Sequence, residues 1–162
     1  MDSTFGEQFG RSKGEPIQYQ GKRVHCILCR EVEGEVCLTI RFLGSRVHVP
    51  QALRVKSYNS TVLVEGQTLG DIELWADNYP SPLELRVLPT KKRKRLKEPS
   101  VPLLKVWNAW RDERGVTQAW IGNSGMLIEE VDGDTLLKCS DGVGPPDFTD
   151  LVVSLRFSPS AS

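Results

Sequence analysis

The sequence predicts an all-β fold: an antiparallel sandwich or barrel-like arrangement of about twelve short strands. Three observations predict it. Apolar and polar residues alternate at period two through most of the chain, with many β-branched residues. Turn-forming Gly, Pro, Asn, Asp and Ser interrupt these runs every 8–12 residues. Nowhere does a helical period persist for three turns.

In chain order, residues 1–21 are rich in Gly, Ser, Gln and charge without a sustained period, and read as a flexible N-terminal arm. A first β lobe spans 22–89. It opens with runs at 23–29 and 36–42 flanking the turn-like Glu31-Val-Glu-Gly-Glu35, a predicted hairpin. In the second run Val36, Leu38, Ile40 and Phe42 share the face to be buried. Further strands are predicted at 46–49, 53–56, 61–65, 71–75 and 83–88. Residues 90–102 form a basic, Pro-flanked linker or loop. A second β lobe, 103–157, carries strands at 103–109, 116–121, 126–130, 135–139 and 151–157, followed by a flexible tail at 158–162. Two turns join hairpins here: 111–115, and Val131-Asp-Gly-Asp134, because Asp-Gly supplies the positive φ angles of a tight turn. Fifty-five residues is short for an independent β core, so the lobes are expected to pack on each other, or to form one sandwich with the basic segment as a long loop.

The composition is ordinary for a globular protein: 162 residues, 39% hydrophobic, 21 Lys and Arg against 21 Asp and Glu. It argues against a disordered chain, a collagen-like repeat or a disulfide scaffold. No stretch approaches ~18 uninterrupted apolar residues and the first residues lack the order of a signal peptide, so an intracellular protein without a membrane partner is expected. The balanced total hides a segregation. Residues 1–90 carry ten basic and eleven acidic side chains, net −1, and residues 103–162 carry five and nine, net −4. The twelve residues between carry six basic and one acidic, net +5. Lys91, Lys92, Arg93, Lys94, Arg95 and Lys97 repel one another too strongly to share a small folded surface. Such a run attracts polyanions and is similar to the nuclear localisation signals read by import adaptors. A nuclear address in a eukaryotic or viral setting is the expectation.

An internal repeat is suggested by four patches in the same order. Residues 58–65 align with 122–129, 70–74 with 133–137, Asp77 with Asp141, and 85–87 with 155–157. A duplication predicts the same three-strand unit in each half, joined by the basic segment.

Two constellations could hold a cation. His25-Cys26-Ile-Leu-Cys29 has the CxxC spacing of zinc and redox sites. Within a strand, however, period two sends Cys26 and Cys29 to opposite faces, and with Cys37 they read as small buried residues; His48 could join them only if the strands were misread. The second is Ser140-Asp141-Gly142-Val-Gly-Pro-Pro-Asp147-Phe148-Thr-Asp150-Leu-Val-Val153. Three carboxylates in a Gly-rich loop suit the oxygen-loving Ca²⁺ ion. This loop resembles the Asp-Gly…Asp-aromatic-x-Asp-Val-Val loop of calcium-dependent bacterial sugar-binding lectins. The resemblance covers about 14 residues and implies Asp141, Asp147 and Asp150 as ligands. The alternative is that Asp147 and Asp150 brace the turn by accepting from backbone N–H groups.

Among Trp75, Trp107, Trp110 and Trp120, the pair Trp107 and Trp110 face opposite ways in a strand, so one is a candidate exposed aromatic contact for a base or a partner's pocket. The catalytic inventory is poor. Both His lie in strand-like runs, and no Gly-rich phosphate loop, HExxH or paired-carboxylate motif is present. No enzyme activity and no obligatory cofactor are expected. The leading reading is an interaction or adaptor module that binds protein partners through its sheets, with the basic segment for nuclear targeting or polyanion contact. The alternatives are a calcium-assisted carbohydrate-binding module and a nucleic-acid-binding β protein.

Overall fold

The computed structural model of the chain describes residues 3–79, 81–90 and 101–159, and the expected basic contact residues Lys91, Lys92, Arg93, Lys94, Arg95 and Lys97 lie outside them. In chain order the elements are α1 (Phe5–Ser12), β1 (Ile17–Tyr19), β2 (Lys22–Val24), β3 (Leu28–Glu31), β4 (Val36–Ser45), β5 (Gln51–Tyr58), β6 (Ser60–Val64) and β7 (Gln67–Leu69). They continue with β8 (Asp71–Trp75), β9 (Leu83–Pro89), β10 (Leu103–Arg111), β11 (Thr117–Gln118), β12 (Gly125–Val131), β13 (Asp134–Ser140) and β14 (Leu151–Pro159).

The fold is all-β and antiparallel, as the alternation predicts. A seven-stranded sheet runs β12-β13-β14-β4-β9-β6-β7, and a five-stranded sheet runs β11-β10-β5-β8 with β3 also paired to β10. The sheets face each other across one core: Leu38, Ile40, Leu85, Val87, Leu137 and Leu155 from the first meet Leu53, Val55, Leu74, Leu104 and Val106 from the second. Each such fully buried aliphatic side chain contributes about 1.5–3 kcal/mol relative to exposure. That is a sandwich, and among the described residues neither sheet closes into a barrel.

Both sheets draw on strands from either side of the basic run. β4 pairs along its length with β14, and β5 with β10. Strands of the segments 22–89 and 103–157 therefore interleave within each sheet, which matches the single-sandwich form of the expectation. The 131–134 turn is as expected: Asp132 and Gly133 both have positive φ, 50° and 86°, and Val131 pairs with Asp134.

Several expectations are corrected. The runs at 23–29 and 36–42 do not form a hairpin; β3 pairs with β10 in one sheet while β4 pairs with β14 and β9 in the other. The Glu-Val-Glu-Gly-Glu turn is a corner between sheets, with Val32 N–H donating to Pro102 O at 2.9 Å. Residues 46–49 form no strand, and 116–121 contributes only β11. The repeat fails as well: β8 belongs to the five-stranded sheet, whereas its matched segment, β13, belongs to the seven-stranded one.

Nor is the start of the chain the expected period-less arm. Thr4 caps α1 in a capping box with Glu7, and Lys13 closes it at φ 57°. Phe5 and Phe9, one turn apart, pack with Ile17, Val24 and Leu127 in a second apolar cluster. The Phe5 ring meets Tyr19 edge-on at 5.1 Å and stacks near Phe148 at 6.1 Å. Gly6 N–H donates to Gly122 O at 2.8 Å, tying the helix to the loop before β12.

Candidate binding face

Register decides which side chains reach the outer surface of the five-stranded sheet. Tyr58, Lys56, Arg54 and Ala52 of β5 stand opposite Leu103, Lys105, Trp107 and Ala109 of β10. On the far side of β5, Asp71, Glu73 and Trp75 of β8 stand opposite Lys56, Arg54 and Ala52. Period two places all of these on one face, away from the core residues Leu53, Val55, Leu104 and Val106.

The face is built of aromatic rings with cations set against them. Lys56 and Lys105 lie 5.3 and 5.0 Å from the Tyr58 ring centroid. Arg54 lies 5.6 Å from Trp107, and Arg111 lies 4.3 Å from Trp75. Trp120 stacks on Trp107 with centroids 4.8 Å apart and planes at 30°. Ala52 and Ala109, between Trp107 and Trp75, are fully buried on this face. Each ring–cation contact is worth about 0.5–1 kcal/mol at an exposed site.

The charge here is uneven. Asp71 and Glu73 both turn to Arg54, at 3.2 and 3.8 Å. Lys56, Lys105 and Arg111 make no ion pair with a carboxylate among the described residues. Two lysines directly opposite on neighbouring strands repel, so the face carries a local surplus of positive charge, offset in part by the Tyr58 ring and by Asp71 across from Lys56.

The sequence placed one exposed aromatic at Trp107 or Trp110, and the structure corrects both. They do face opposite ways, but Trp110 is 1% exposed, inside the sandwich against Gly142, and Trp107 is 6% exposed beneath Trp120. The exposed ring is Trp120, 44% accessible. Its backbone takes φ 62°, held by the stack and by its indole N–H donating to Cys26 O at 3.0 Å. The sequence placed Trp120 in a strand at 116–121, but the strand is only Thr117–Gln118 and Trp120 stands in the loop after it, where alternation does not fix its direction. Its single signal was the Trp-Ile-Gly-Asn turn.

The acidic loop is organised for structure. Asp141 is fully buried and accepts from Arg46 Nη1 at 3.1 and 3.2 Å, from Gln51 Nε2 at 2.8 Å and from Val143 N–H at 2.9 Å. Asp150 accepts from Asp141 N–H at 3.0 Å, and Asp147 accepts from the N–H and hydroxyl of Thr149. The calcium expectation for Asp141, Asp147 and Asp150 is therefore corrected: Asp141 is held by Arg46, Gln51 and the Val143 N–H, while Asp147 and Asp150 each brace the loop through one oxygen. Among the described residues no group of three His, Cys, Asp or Glu stands close enough to hold a metal. Burial, reinforced by the Asp141 and Asp147 carboxylates, pushes Asp150 up to about 6. The bonds from Thr149 hold Asp147 below the usual carboxylate range.

Cys26 is half-buried with its thiol pushed up by burial, Cys29 is exposed on β3, Cys37 is half-buried on β4 and Cys139 is fully buried. The CxxC pair does not converge. His25 bridges to Met126 through its backbone, with burial and Arg23 lowering its side-chain pKa. His48, expected in a strand, is exposed in a loop beside Arg111, Asp112 and Glu113. Among the described residues no helix is long and apolar enough to cross a membrane.

Comparison with protein-family models, curated proteins and solved structures found no match to this chain.

Proposed function

We propose that this protein is a non-catalytic binding module, that its working surface is the outer face of the five-stranded sheet, and that its ligand is single-stranded nucleic acid. The observation that carries the reading is the alternation of rings and cations along β5 and β10: Tyr58 with Lys56 and Lys105, Trp107 with Arg54, and Trp120 exposed above it. Proteins that hold single strands without reading sequence combine stacking rings for the bases with cations for the phosphates. The basic run lies between two described segments, 81–90 and 101–159, that meet this end of the face. Its described neighbours are anchored there, with Thr90 N–H donating to Asn59 O at 3.0 Å and Leu103 opposite Tyr58.

A protein partner is the second reading. β8 ends the five-stranded sheet and has β5 as its one strand partner among the described residues, so it offers an edge for strand addition.

The test is titration of the full chain with labelled oligothymidylate, read by anisotropy and tryptophan quenching. Trp120→Ala removes the exposed ring and should weaken binding about tenfold, the loss of one stacked base. Unchanged affinity in that variant contradicts the reading.

A further inference from the structure

A cleft of about 480 Å³ opens at the corner of the sandwich, lined in part by Lys56, Ser57, Asn59, Thr61, Thr68 and Thr90. Two places where the chain passes between sheets form it, the β5–β6 turn at Asn59 and the β7–β8 junction at Gly70. They are tied together by Ser57 N–H and Oγ donating to Gly70 O at 2.8 and 3.2 Å.

The chemistry of the lining is one-sided. Among the described residues it holds a lysine and several hydroxyls and no carboxylate. Asp71, the nearest acid in sequence, is engaged by Arg54. The Thr90 hydroxyl is buried and has no hydrogen-bond partner among the described residues, although buried polar atoms are nearly always partnered. The hydroxyls of Thr61 and Thr68 likewise make no hydrogen bond among the described residues. A cation beside free hydroxyl donors is the arrangement that takes a tetrahedral oxyanion, with lysine acting as a point charge. The volume lies within the range of small-molecule sites and exceeds what a bare anion fills, leaving room for the group that carries it.

We propose that this cleft binds a phosphoryl group, with Lys56 supplying the charge and Thr90, Thr61 and Thr68 the hydrogen bonds. The proposal deepens the nucleic-acid reading and rests on it for the source of the phosphate, either a strand's backbone or a free phosphorylated small molecule. The binding chemistry is the same for both.

The test uses the ¹⁵N-labelled full chain titrated with inorganic phosphate, with potassium chloride at matched ionic strength as control. The expected result is saturable shifts of the Ser57, Asn59, Gly70 and Thr90 amides. Lys56→Gln with Thr90→Val should weaken them about tenfold or more, the loss of a charge-assisted hydrogen bond. No shift beyond the chloride control overturns the proposal, and so do shifts confined to Lys105 and Arg111 or shifts that the double variant leaves unchanged. A second arm uses thymidine monophosphate and oligothymidylate. Oligonucleotide binding that leaves the cleft amides still overturns the cleft and spares the nucleic-acid reading. Cleft shifts with both phosphate and the mononucleotide, but no binding of the oligonucleotide, support the cleft, overturn that reading and identify a small molecule as the source.

Discussion

Lys56 and Lys105 stand directly opposite each other on β5 and β10, their ammonium groups 5.3 and 5.0 Å from the centroid of one ring, Tyr58. Like charges in this position repel. The ring's electron-rich face offsets part of that cost.

Replacing the ring should expose the repulsion. Tyr58→Leu is expected to lower stability by about 1 kcal/mol in low salt and by less in high salt, where the two charges are screened. Urea unfolding at two ionic strengths measures it; a loss that does not vary with salt would mean that Tyr58 serves packing alone.

Gly142 is placed by Trp110. A Cβ there would meet the Trp110 ring and, at 2.6 Å, the Ile121 carbonyl oxygen. The indole is fully buried, so it cannot swing out of the way. Gly142→Ala should therefore cost about 1–3 kcal/mol as an overpacked core does. Thermal unfolding checks this, and a variant as stable as the parent would show that the loop before β14 gives way freely.

Asp150 ties pH to the stability of the same loop. Its folded-state value of about 6 lies above the ordinary carboxylate range, so burial favours the protonated form. The stability linked to this group is fully present below the unfolded value and is lost as pH rises through about 6. His25 acts in the opposite sense, because its lowered pKa favours the neutral ring and removes stability as pH falls through its ordinary value. Comparing Asp150→Asn with the parent cancels the His25 contribution. The variant should gain melting temperature on the parent above pH 6, with the difference shrinking as pH falls toward the carboxylate range; a difference constant in pH contradicts the assignment.

Strand positions were legible where side chains alternate, as in β4, whose Leu38 and Ile40 are buried as the pattern demands. Alternation gives faces without partners, however. It could not tell a hairpin from a corner, so β3 and β4 were paired across a turn that in fact leads from one sheet to the other. The helix α1 was hidden by its eight residues, too few for three turns, and by Gly6 and Gly10 within it. Its readable signal was the capping pattern Thr4-Phe-Gly-Glu7 with Phe5 and Phe9 one turn apart. The candidate face was half legible: the opposition of Trp107 and Trp110 follows from their spacing. That Trp120 returns from a loop to cover Trp107 is a long-range contact that no local pattern encodes.

The central claim, that the cation–ring face of β5 and β10 holds a single strand by its phosphates and bases, is tested most directly by the salt dependence of oligothymidylate binding. The parent chain is compared with Lys56→Gln/Lys105→Gln. Each phosphate contact contributes about 0.7 to the slope of log K against log salt for a single strand. The account predicts binding by the parent and a slope shallower by about 1.4 in the double variant. No binding by the parent near physiological salt, or a slope indifferent to the two lysines, would contradict it.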